Sequence, residues 1–119
     1  MFNFKINNRN WTIEEKSQQE IKTFNNERMA NENENIKSVI PRYYGVTYVD
    51  VQKIYLDKDL PIDRKRQVLI HELTHCYISE YITHSEKQYD EEDVADINSN
   101  AFEIIQDILD KYFDMKEEN

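Results

Sequence analysis

The chain has 119 residues, 15 of them basic and 24 acidic for a net charge of −9, with apolar residues at 39%. That length suits one domain over residues 1–119, and an acidic chain without a positive stripe argues against direct contact with nucleic acid. No apolar run nears the roughly 18–20 residues that cross a bilayer, "MFNFKINNRN" lacks the apolar segment of a signal peptide, and a lone Cys76 demands no oxidising compartment, so a cytoplasmic protein with no membrane partner is expected.

Phe2-Phe4-Ile6 and Trp11-Ile13 alternate on either side of "NNRN". Asn tolerates the left-handed backbone of a tight turn, so the pattern predicts a hairpin. From Glu14 to Lys37 the sequence is polar, with Ile21, Phe24 and Met29 as its few large apolar residues. It reads as a thinly anchored helix followed by a loop, and residues 1–40 are the less legible part. "YYGVTYVDVQKIYLDKDL" at 43–60 is rich in β-branched and aromatic residues, punctuated by Gly45 and Asp50, and predicts two strands. "DLPIDRKRQ" then starts a helix, with Asp59 or Asp63 as N-cap and Pro61 in the first turn. That helix runs to about Tyr81, with Leu69, Leu73, Cys76, Tyr77 and Glu80 at helical spacing. After the polar "THSEKQ", a second long helix is predicted from the repeat of Val94, Ala101, Ile105, Ile108 and Tyr112. Asp90 and Asp93 suit its capped start. The fold class is α+β, a small antiparallel or mixed sheet packed on two helices.

Residues 71–75 read "HELTH" and spend two of the three histidines in the chain. Positions i and i+4 lie one turn apart on one helix face, so both imidazoles can converge on one ion. Glu72, rotated about 100° from His71, is badly placed as a ligand. It can instead take a proton from a nearby water and deliver it to a leaving amine. Val68, Leu69 and Ile70 are expected to bury the helix and dry the site. Two ordinary histidines on a polar helix edge are the plain alternative. Chance would give the pattern in roughly one such sequence in a hundred, so the metal reading stands first.

A catalytic zinc needs a third protein ligand. Cys76 adjoins His75 but points off the ligand face, as a small buried helix residue would. A three-histidine motif would want glycine at position 78 and histidine at 81, where Ile78 and Tyr81 stand, so His84 is not reached that way. The acidic run remains. Glu92 and Asp96 are one turn apart, so Glu92 can bind the ion while Asp96 accepts the other ring N–H of a ligating histidine. Glu91 and Asp93 are rivals for the ligand role, and carboxylates that merely cap the helix are the plain reading. Tyr81, His84 and Tyr89 are unranked candidates for stabilising the transition-state oxyanion.

"HELTH" followed by E-x-x-x-D on a later helix resembles the gluzincin metallopeptidases. The strand run "VTYVDVQKIYL" before the motif helix and "EDVAD" roughly 17 residues after it narrow this further. Over roughly residues 43–112 the chain resembles the small ImmA/IrrE-type metallopeptidases of phages and mobile elements. That family shows E-x-x-A-[ND]-x-F-A; Glu92, Ala95 and Asp96 match, while Asn98 and Ser99 replace the Phe-Ala. The resemblance implies a minimal zincin-like fold and one Zn²⁺ per chain on His71, His75 and Glu92. It also implies an edge strand above the zinc helix, placed at Lys53–Asp57, that pairs with substrate backbone. The implied partner is a protein substrate such as a transcriptional repressor, in the bacterial host cytoplasm. The expected activity is therefore that of a zinc-dependent peptidase. Its rival is a zinc-containing binding module that inactivates a regulator without proteolysis, and an intact Glu72 favours the enzyme because a binder needs no base. A closed structural zinc site would want four ligands and more cysteine.

Overall fold

The computed structural model describes residues 1–32, 42–82 and 91–117. Alternation at the N-terminus folds as the expected hairpin: β1 (Phe2–Ile6) and β2 (Arg9–Lys16) pair antiparallel, with Phe4 opposite Trp11. Asn7 and Asn8 join them at φ of 51° and 63°, two successive left-handed residues as a type I′ turn requires. A helix, α1 (Gln18–Glu32), follows. Ser17 Oγ accepts the Glu20 N–H and Glu20 Oε1 accepts the Ser17 N–H, both at 3.2 Å, which satisfies two donors at the helix start. The "SQQE" pattern carries this capping box. Ile21 is fully buried and anchors an otherwise polar helix.

β3 (Gly45–Tyr48) and β4 (Lys53–Asp57) form a second antiparallel hairpin, turned at Gln52 with φ 54°. The two hairpins join through parallel pairing of β2 with β4, giving a mixed sheet in the order β1-β2-β4-β3. The expected edge position of Lys53–Asp57 is thereby corrected. β4 is an interior strand, and β3 is the edge nearest the motif helix. The physical reason lies in β4 itself: Ile54, Tyr55, Leu56 and Asp57 are all buried, and burial on both faces marks a central strand.

One sheet face packs Trp11, Ile13, Ile54 and Leu56 against Leu69, Leu73 and Cys76 of α2 (Ile62–Tyr81) and Ala101, Ile105 and Leu109 of α3 (Glu91–Glu117). The other face buries Tyr48 and Tyr55 against Ile21, with Phe24 beside them. The fold is thus α+β, a four-stranded mixed sheet with α1 on one side and α2 and α3 on the other.

Three details depart from the sequence pattern. Pro61 occupies the N-cap of α2 with no side-chain hydrogen bond, so neither Asp59 nor Asp63 caps it. The Asp59 N–H instead donates to Asp57 Oδ1 at 2.9 Å. Glu80, on the apolar spacing, accepts from Trp11 Nε1 at 3.2 Å and pairs with Arg9 at 3.3 Å, tying the hairpin to the end of α2. Val94 is 50% exposed, because the apolar stripe of α3 becomes fully buried only from Ala101. Asp90 and the "THSEKQ" break lie outside the described residues.

Two polar ties cross the core. Lys65 Nζ meets Glu15 Oε1 at 2.8 Å, and the Tyr112 hydroxyl donates to Glu15 Oε2, linking β2, α2 and α3. Asp57 is wholly buried. Burial works to raise its carboxyl, but hydrogen bonds from the Asp59 N–H, Arg42 and Gln18 outweigh that and hold it below the ordinary value. Among the described residues, no helix is long and apolar enough to cross a membrane.

Candidate metal centre

The motif helix divides its residues among three directions. Leu69, Leu73 and Cys76 face the sheet and are fully buried. Glu72 lies to one side beneath β3, and His71 and His75 face outward. The imidazoles stand one turn apart, ring centroids 4.8 Å apart and planes at 80°, with the two Nε2 atoms separated by 3.2 Å.

That separation decides what the pair can do. Two nitrogens bound tetrahedrally at ~2.05 Å from one ion stand roughly 3.3 Å apart. The observed spacing therefore fits two lone pairs directed at a common metal. It also fits one hydrogen bond between neutral tautomers. It does not suit two protonated rings, which would bring like charges together. The His71 side chain is 70% exposed, and Ile70 is 41% exposed. The expected burial by Val68, Leu69 and Ile70 thus holds fully at Leu69 and in part at Val68, which packs against the core, but not at Ile70, and the histidine face is open.

Glu72 is only 7% exposed. Its Oε2 lies 3.9 Å from His71 Nε2, too far for a hydrogen bond but spannable by one water. Its Oε1 accepts the Thr47 hydroxyl of β3 at 2.8 Å. Above it sits Gly45, the single glycine of the chain. A Cβ there would come within 2.7 Å of Val68 Cγ1 and 3.1 Å of Glu72 Cγ. The glycine serves close approach of strand to helix, since its φ is not positive. Thr47 was not anticipated from the sequence. The available signal is strand alternation: Gly45 and Thr47 share one face of β3, and Val46 and Tyr48 share the other, packed toward α1.

On the opposite side of the histidines, α2 and α3 enclose a cavity of about 140 Å³, lined by Ile70, Thr74, Ile97, Asn98, Ala101 and Phe102 among others. The acids of α3 begin beyond it. Glu92 and Asp96 are both exposed. Projected at about 100° per residue from buried Ala101, Glu92 falls on roughly the opposite side of α3. Glu91 and Asp93 flank the buried face, and Glu91 shares a side with Asn98, which lines the cavity. Among the described residues, no further His, Cys, Asp or Glu joins the histidines in a group of three or more able to hold an ion. Tyr81 ends α2, exposed, its ring 4.8 Å from that of Tyr77, and projects roughly 120° away from His75. His84 and Tyr89 lie outside the described residues. Cys76 is fully buried on the sheet-facing side of α2, away from the histidine face, and burial pushes its thiol up.

No family model, curated protein or solved structure matches the chain.

Proposed function

We propose that the chain is a zinc-dependent peptidase, a minimal zincin-like enzyme of the ImmA/IrrE type. The observation that carries this reading is the constellation on α2: two Nε2 atoms 3.2 Å apart, with a buried carboxylate whose unengaged oxygen lies 3.9 Å from one of them. The resemblance of "HELTH" and "EDVAD" to that family supports the same reading. The proposed substrate is a protein regulator such as a transcriptional repressor in a bacterial cytoplasm.

Bound zinc would supply a Lewis acid for the peptide carbonyl and acidify a water toward a pKa near ~7. The side chains carry the remaining work. His71 and His75 would hold the ion, one per chain. The third ligand would be a carboxylate from the first turn of α3. Family resemblance assigns it to Glu92, with Asp96 as acceptor for a ligand's ring N–H, whereas the helix phase favours Glu91. Glu72 Oε2 takes a proton from the attacking water as its oxygen bonds to the peptide carbon. The same proton then passes to the departing nitrogen as the C–N bond breaks, leaving Glu72 ionised again. Among the described residues no strand pairs with the outer edge of β3, and an extended substrate can add there.

The test is a zinc-loaded digest of a proteome-derived peptide library, with new termini read by mass spectrometry. The wild-type protein is expected to produce them. Glu72→Gln, which preserves size but cannot act as a base, is expected to produce none while binding the same amount of zinc. Capture of one regulator by both proteins, uncut, would replace the peptidase by the binding module.

A further inference from the structure

We propose that Thr47 is the positioning residue of Glu72, fixing which carboxylate oxygen handles the proton. This rests on Glu72 acting as the base of the proposed peptidase. The Thr47 hydroxyl has one proton and two acceptors in reach, Glu72 Oε1 at 2.8 Å and the Glu72 carbonyl oxygen at 3.3 Å. It donates to the nearer. Oε1 is thereby engaged by the strand, and Oε2 is left on the histidine side, 3.9 Å from His71 Nε2.

Three features make the contact rigid. Threonine is β-branched and stiff at χ1, so its hydroxyl is aimed by the strand backbone. β3 is held by pairing with β4 through Thr47 opposite Ile54, and Ile54 is fully buried. Gly45, two residues before Thr47, removes the Cβ that would lift the strand from Val68 and Glu72. An unrestrained glutamate has several rotamers, and a group that must accept and then return a proton loses rate in most of them. A serine or threonine placed only for solubility would not need a buried carboxylate as its partner.

Thr47→Val keeps shape and strand propensity and deletes the donor; Thr47→Ser keeps the donor; Thr47→Ala is a second deletion that adds no bulk. The assay uses a peptide cleaved in the library digest, and crystal structures of the zinc-free variants read the Glu72 rotamer without any turnover. Thr47→Val and Thr47→Ala are expected to lower kcat by about 10–100-fold, with KM and zinc content unchanged. Glu72 swings out of its wild-type rotamer in both, and Thr47→Ser restores both the rotamer and most of the rate. Glu72 keeping its rotamer in the valine and alanine variants overturns the proposal. So does a loss confined to KM, or a serine variant as slow as valine. If wild type cuts no peptide, the peptidase reading fails on its own, while the rotamers still decide what Thr47 does.

Discussion

At the scale of single residues, the histidine spacing makes the sharpest prediction. Removing either imidazole leaves one nitrogen and no chelate, so His71→Ala and His75→Ala should each abolish a stoichiometry of one zinc per chain, measured by elemental analysis of purified protein. A companion titration against a chelating dye locates the third ligand. Loss of a direct ligand should weaken zinc beyond the 10–100-fold typical of a supporting partner. Glu91→Ala should then be the most damaging of Glu91, Glu92, Asp93 and Asp96 if α3 keeps its phase on binding. A larger effect of Glu92→Ala would mean that the helix start rotates. The placement of the two histidines on one face was legible because it follows from one local rule, the i, i+4 helix face. Motif spacing points to Glu92, whereas the phase of α3 is set elsewhere, by Ala101, Ile105 and Leu109 packing on α2 and the sheet. Alternation gives the face of β3 that Thr47 shares with Gly45, but its contact with Glu72 was not legible, because that depends on which strand packs over α2.

Among the elements, the contact between β3 and α2 is the most constrained. A methyl at Gly45 would press into the side chains of Val68 and Glu72. Gly45→Ala should therefore cost about 1–3 kcal/mol, as overpacking does, and should disturb Glu72. Denaturant unfolding measures the first effect, and Val68→Ala in the same chain should recover part of it. The first hairpin was readable from alternation and from the Asn pair at Asn7-Asn8; for the second, the β-branched and aromatic run at 43–60 gave two strands but not their pairing. The order of strands was not. Alternation tells which residues share a face, but β4 became central through long-range parallel pairing with β2, which leaves no local mark beyond a continuous apolar run. The start of α2 misled for a similar reason: Asp59 is drawn into the turn around buried Asp57, so Pro61 alone shapes the cap.

Across the whole molecule, Glu15 is the point where β2, α2 and α3 meet, and Tyr112 reports on it. Burial pushes the Tyr112 hydroxyl up to about 12, and burial raises Tyr48 as well, whereas an unfolded tyrosine titrates near ~10. The native state therefore binds more protons than the unfolded chain between those values. Its stabilising contribution is complete below pH ~10 and is lost as pH rises through about 12. Urea unfolding at pH 8 and pH 11 should show that decline. Tyr112→Phe should flatten part of it, at a cost of about 1 kcal/mol near neutrality for the missing hydrogen bond.

The parallel seam between β2 and β4 also orders the events of folding. Thr12 lies opposite Lys53 and Lys16 opposite Asp57, so each pair closes a loop of roughly forty residues, whose ends must meet before any contact rewards them. The two hairpins are local and can form in about 1–10 μs. Their docking is expected to be the slow event, and until it occurs the inner edges of β2 and β4 would be open to strands of other chains. Stopped-flow kinetics should find that Ile13→Val and Ile54→Val, which sit opposite one another on the seam, mainly slow refolding. Ile105→Val, on α3, should mainly hasten unfolding if that helix packs after the seam has formed.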